Sequence, residues 1–123
     1  MSDIGRVVWT DLTVGDAEGI RDFYAEVVGW EFHGEPIEDY EDFVMTPNGG
    51  VDAAAGICHA RGTNAALPPV WLVYISVSDI EESASKCKTL GGRIIDGPRP
   101  MGKGMFCAIA DPSGAVCALF QSG

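Results

Sequence analysis

The sequence predicts an α+β fold built from two βαβββ modules, and two observations carry the prediction. First, the stretch Val70–Ile95 reads as strand, capped helix, Gly91-Gly92 stop and strand, and Val8–Phe32 repeats it. At a shift of 63 positions Val14 falls on Val77, Asp16 on Asp79, Glu18 on Glu81 and Gly29 on Gly92. Second, Thr46-Pro47-Asn48-Gly49 is echoed by Asp111-Pro112-Ser113-Gly114 at a shift of 65. A period near half the chain means two copies of one supersecondary unit.

The elements follow in order. Arg6–Val14 alternates and reads as a strand, with Trp9, Asp11 and Thr13 on one face and Val8, Thr10, Leu12 and Val14 on the helix-facing side. Asp16 caps a helix whose apolar stripe is Ile20, Phe23, Tyr24, Val27 and Val28, and Gly29 ends it. Trp30-Glu31-Phe32 opens the next strand; Gly34–Asp42 is acidic and reads as an exposed, turn-rich segment. Phe43–Thr46 reads as a short strand, Pro47–Gly50 as a turn and Val51–His59 as another strand. Small residues at Ala53-Ala54-Ala55-Gly56 imply close packing or space for a ligand.

Ala60–Pro69 is polar and then Pro-rich, the mark of a linker. The expected organisation is one domain over 1–123, with a first module at about 5–60, a linker at 61–69 and a second module at about 70–122. Val70–Val77 is rich in β-branched, aromatic and aliphatic residues and suits a buried strand, in which Trp71 packs against the second helix. Ser78 or Asp79 caps that helix, Glu81 and Glu82 occupy its first turn, and it runs to about Leu90. Arg93–Asp96 starts a strand. Gly97–Gly104, with two prolines and three glycines, reads as a loop able to cover a cleft with Arg99, Met101 and Lys103. Met105–Asp111 and Val116–Gln121 are the closing strands.

The bulk numbers exclude several classes. A chain of 123 residues, 46% hydrophobic, holds one compact domain and needs no disulfide staple. Eight basic against 18 acidic residues give a net charge of −10, with no Lys/Arg cluster to follow a phosphate backbone, so a nucleic-acid partner is not expected. The opening residues MSDIGR lack a signal pattern and no apolar run reaches membrane-spanning length, which predicts a cytoplasmic protein without a membrane partner. Cys58, Cys87, Cys107 and Cys117 form no CxxC pair and read as small buried hydrophobes in a reducing compartment.

Two βαβββ modules in this length resemble the vicinal oxygen chelate superfamily, which holds glyoxalase I, bleomycin-resistance proteins and extradiol dioxygenases. The motifs that carry the resemblance are Val14-Gly15-Asp16, Asp22-Phe23-Tyr24 and Val28-Gly29-Trp30 in the first module. In the second they are Val77-Ser78-Asp79, Leu90-Gly91-Gly92 and Asp111-Pro112-Ser113-Gly114-Ala115. Val70–Val77 with Gly104–Gln121 looks most like the hydroxylase-like, antigen-type branch. The resemblance implies strands curled into a U-shaped half-barrel cleft, often built by a homodimer. It also implies a divalent metal held by His or Gln and Glu.

The chain departs from that ligand pattern. Trp9 and Leu72 stand where the resemblance puts the first-strand ligands, and Ala118 stands where it puts the last-strand Glu. The fourth position falls within Asp52–Cys58. No metal and no cofactor are therefore expected. The expected ligand-binding residues are Trp9, Asp11, Leu72, Tyr74, Ala118 and Phe120, with Thr13, Ser76 and Val116 on the same faces. Asp11 is the candidate catalytic residue or polar anchor; the bland alternative is a carboxylate that points to solvent or caps a loop. For Tyr74 the alternative is a hydroxyl at the surface, and His33 and His59 read as exposed or structural.

The expected function is binding, with or without modification, of a small aromatic or cationic molecule without the family's metal. The alternative is a metal-dependent lyase, isomerase or dioxygenase using Asp11, Asp52 and His59, which requires those three to converge. A third reading closes the cleft with side chains and leaves the surface to do the work.

Overall fold

The structure is a computed structural model in which residues 3–123 are described. It is a mixed α+β fold of eight strands and two α-helices among those residues, with one short 3-10 turn at Gly62–Asn64. The chain divides into two compact units: Thr10–Trp71, and the residues up to Trp9 together with Leu72–Gly123.

The Thr10–Trp71 unit contains most of β1 (Val7–Val14), then α1 (Ala17–Val28), β2 (Glu31–Ile37), β3 (Tyr40–Thr46) and β4 (Ala55–His59). Its strands lie in the order β2-β3-β4-β1, antiparallel except for the β1–β4 pair. The Asp16 side chain accepts from the Gly19 N–H at 3.0 Å, satisfying one of the free donors at the start of α1. Gly29 ends the helix at φ 84, a left-handed conformation that costs glycine little. The apolar face of α1 covers a core of Ala17, Phe43, Met45 and Ile57.

Trp71 belongs to this core. Its ring lies 5.2 Å from Tyr24 and 5.9 Å from Trp30, and its Nε1–H donates to the Tyr24 hydroxyl at 3.1 Å. The expectation that Trp71 packs on the second helix is corrected: it packs on the first. Alternation fixes which face a strand residue occupies, but an indole at a strand's first residue reaches for the nearest apolar cover, which here is Tyr24.

The other unit repeats the plan with β5 (Trp71–Ser76), α2 (Ile80–Thr89), β6 (Arg93–Met101), β7 (Gly104–Ala110) and β8 (Val116–Gln121). The order is β5-β8-β7-β6, with β5 and β8 parallel and the remaining pairs antiparallel. Gly5 and Arg6 run beside β5: the Gly5 N–H donates to the Ser76 carbonyl at 2.7 Å and the Ser76 N–H to the Arg6 carbonyl at 2.9 Å. Asp79 caps α2 by accepting from the Glu82 N–H at 3.1 Å, the same offset that Asp16 uses. Ile80 and Ala84 of α2 pack in one buried cluster with Cys107 of β7 and Leu119 of β8. The opposite face of the sheet is left to Tyr74 and Ser76, paired with Ala118 and Phe120, and to Phe106 and Ala108 on β7.

Three expectations are corrected. Gly34–Ile37 is strand, and β2 and β3 form a hairpin across Glu38-Asp39. Gly97–Met101 is likewise strand, closed onto β7 by the two-residue turn Gly102-Lys103. Both segments are the outer strands of their units, where proline is tolerated because its missing N–H faces no partner. In β6 the register slips on both sides of Asp96, a bulge that takes up Gly97 at φ 100; a Cβ there would meet the Phe106 carbonyl at 2.6 Å. The third concerns Val51–Ala54, which is not strand; β4 begins at Ala55, and Val51 is 92% exposed with nothing to cover it.

Candidate functional site

The sheet face turned away from α2 carries a cavity of about 480 Å³ within the second unit. Its walls are Val8, Trp9, Tyr74, Met101 and Phe120, with Gly102 and Lys103 at the hairpin turn. Behind the walls, Ala108 pairs with Ala118 across β7 and β8, both fully buried, and Tyr74 pairs with Ala118 from the other side. Tyr74 and Phe106 lie 5.6 Å apart. Phe120 rests on Gly104, where an added Cβ would meet its ring carbons at 2.7 Å and 3.0 Å. The Arg99 guanidinium sits 4.7 Å from the Phe106 ring and forks onto Asp96 through three contacts of 2.9–3.1 Å.

The structure therefore brings Trp9, Tyr74 and Phe120 together. Leu72 and Ala118 are 3% and 0% exposed, within the sheet rather than on the cavity wall. Asp11 lies in the other unit. It is buried, its strand partner is Gly56, and its Oδ2 is 4.0 Å from the Cys58 Sγ. Burial, and then the nearby Asp11 and Asp42 charges, push the Cys58 thiol well above its usual range, so it stays protonated and is a poor nucleophile. Val8, on the helix-facing side by alternation, and Met101 and Lys103, in the segment that reads as a loop able to cover a cleft, are cavity walls as well.

The second donor set is not assembled. Asp52 is exposed in the segment before β4. His59 pairs with Val14 while Asp11 pairs with Gly56, three residues apart along the same ladder, or about 10 Å. The His59 ring packs instead on Tyr40 and Phe43. His33 is exposed beside Glu35 at 3.2 Å. Among the described residues no group of three His, Cys, Asp or Glu side chains is arranged to hold a metal. The residues at the positions where the resemblance places metal ligands, Trp9, Leu72 and Ala118, carry no carboxylate, thiolate or imidazole. The donor chemistry does not fit the family's metal.

A further hollow of about 240 Å³ in the Thr10–Trp71 unit lies beside α1, between Leu12, Ile20, Phe23, Tyr24 and Trp71. It carries no charged wall residue. No helix among the described residues is long and apolar enough to cross a membrane.

Comparison with known proteins places the chain. It is 28% identical over 120 residues to CFP32 of Mycobacterium tuberculosis, provisionally named a glyoxylase, covering 96% of this chain and 46% of that protein. It is 27% identical over 131 residues to the anthracycline biosynthesis protein DauV of Streptomyces sp. strain C5, covering 97% of this chain and 48% of that one. The chain thus spans about half the length of the curated relatives it matches. Among solved structures, methylmalonyl-CoA epimerase from Mycobacterium tuberculosis superposes with a TM-score of 0.58 at 16% identity, covering 100% of this chain and 92% of the epimerase. A methylmalonyl-CoA epimerase in complex with methylmalonyl-CoA and NH4+ gives 0.59 at 18%, over 98% and 96%. These two likenesses concern the fold. The family model of the Glyoxalase/Bleomycin resistance protein/Dioxygenase superfamily matches residues 6–119, nearly the whole chain, and the protein belongs to that superfamily.

Proposed function

We propose that the protein binds a small aromatic molecule in the cavity between Trp9, Tyr74, Met101 and Phe120, without the superfamily's metal. The observation that carries this reading is the cavity itself: about 480 Å³ with predominantly apolar walls, three of them aromatic. Such walls favour flat rings, through area removed from water and through ring–ring contact. The relationship to a protein named for anthracycline biosynthesis supports a polycyclic ligand, since the anthracycline skeleton is a fused, partly aromatic ring system. The missing donors at positions 9, 72 and 118 support binding that does not depend on a metal. We further infer that the chain acts as one domain of the hydroxylase-like branch, as a cytoplasmic homodimer.

The test is calorimetric titration of the full chain with 9-anthracenemethanol, a neutral ring probe, in parallel with Trp9→Ala and Phe120→Ala. Loss of one stacking wall lowers affinity roughly tenfold. Wild-type affinity in both variants, or no binding at all, refutes the reading. An unaltered result with chelator present supports the metal-free part; abolished binding would overturn it.

A further inference from the structure

Resting on that reading of the cavity, we propose that the site selects an aromatic ligand carrying a negative charge, with the anionic group held by Lys103. Three observations point there. Lys103 is the one charged side chain among the described wall residues, and no carboxylate is among them. Its place is fixed by the fold: it is the second residue of the two-residue turn closed by the Met101–Gly104 pair, with Gly102 at φ 58. And it is one of three bases, with Lys88 and Arg93, that form no ion pair among the described residues, and of those three it alone lines the cavity. Arg6, Arg21, Arg61, Lys86 and Arg99 each have a carboxylate oxygen at 3.5 Å or closer, and acids outnumber bases 18 to eight. Among the described residues no carboxylate lies within ion-pair distance of Lys103. Arg99, on the same hairpin, is already matched to Asp96.

The net charge of −10 argues for a cation instead, so the two effects have to be weighed. The acidic residues are spread over a surface of 7120 Å². Beyond about 8–10 Å their influence is largely screened at physiological salt. A contact with Lys103 acts at about 3–4 Å, beside apolar walls that keep part of the solvent away. An exposed ion pair is worth only a few-fold in affinity, and a charge-assisted contact at the edge of an apolar site about tenfold. The contact therefore outweighs the diffuse field for a ligand seated in the cavity.

The experiment compares three probes on one ring: 9-anthracenecarboxylate, 9-anthracenemethanol and 9-(aminomethyl)anthracene, titrated into the full chain at pH 7.4 and low salt. The carboxylate is expected to bind about five- to tenfold tighter than the alcohol, and the amine no tighter than the alcohol. Lys103→Met keeps the aliphatic stem and removes the preference, read as the carboxylate-to-alcohol affinity ratio within the variant itself; Lys103→Glu reverses that ratio. Exposed at a turn tip, Lys103 can be changed with little risk to folding, which melting temperatures check. If the alcohol binds but the carboxylate binds no tighter, or if Lys103→Met keeps the preference, the charge selection is overturned and the aromatic site stands. If no probe binds, or if Trp9→Ala and Phe120→Ala bind all three as wild type does, the site reading falls and the proposal falls with it.

Discussion

Replacing Gly104 with alanine tests how the sheet shapes the cavity. Gly104 opens β7 opposite the end of β8, and the Phe120 ring lies directly over it. An added Cβ would sit 2.7 Å and 3.0 Å from two ring carbons and closer still to the Gln121 carbonyl oxygen. Carbon atoms pack best at about 3.5–4.0 Å, so the ring has to retreat by roughly 1 Å. The carbonyl belongs to the backbone of the Met105–Gln121 pair and moves only with the ladder. Overpacking of this kind costs about 1–3 kcal/mol. Because Phe120 is a cavity wall, its displacement also weakens binding of 9-anthracenemethanol. Urea unfolding monitored by circular dichroism gives the first number and calorimetry the second. Stability within about 0.5 kcal/mol of wild type, together with unchanged affinity, would refute the account of why glycine is there.

Other outcomes follow from the same geometry. Asp79→Ala and Asp16→Ala each remove a helix cap and cost about 1 kcal/mol in urea unfolding, by similar amounts because the two caps are copies. Glu38→Gly stabilises by about 0.5–1 kcal/mol in the same assay, since Glu38 sits at φ 53 at the β2–β3 turn and glycine adopts that conformation without a Cβ clash. Burial pushes the Cys107 thiol up to about 11, so the folded state holds its proton where the unfolded chain has lost it. Stability contributed by this group is full below pH 9 and falls as pH rises from about 9 to 11; Cys107→Ala removes that part of the slope in pH-dependent denaturation. Cys58, held protonated, resists iodoacetamide at pH 7.5 in the native protein and reacts readily once urea exposes it.

Much of the architecture is written in local residues. Asp16 and Asp79 announce the two helices because a carboxylate at a helix start has one obvious partner, the N–H three residues on. What the sequence hid were β2 and β6, and for one reason. Gly34 and Pro36 in one, and Gly97, Pro98 and Pro100 in the other, are loop residues by local preference; only a place at the outside of a sheet makes them acceptable in a strand. The repeat carried a usable hint, since Gly34 falls on Gly97 at the same shift of 63. Three of the cavity's rings, Trp9, Tyr74 and Phe120, were reachable by alternation along β1, β5 and β8. Met101 and Lys103 were not, because their contribution depends on a tight hairpin where a covering loop was expected. A two-residue Gly-X turn at Gly102-Lys103 between alternating segments was the available signal. Asp11 could be placed on a face but not given a neighbour; its nearness to Cys58 depends on the β1–β4 register, which alternation does not determine.

The prolines of the outer strands have a consequence for life in a crowded solution. The exposed flank of a sheet is a row of unpaired donors and acceptors that invites another chain to extend it. Pro36 on β2, and Pro98 and Pro100 on β6, delete donors from those flanks, and the bulge at Gly97 bends the second one out of line. A foreign strand approaching either flank finds a ladder with missing rungs. The residues that make these segments look unlike strands also make both flanks poor templates for a further strand.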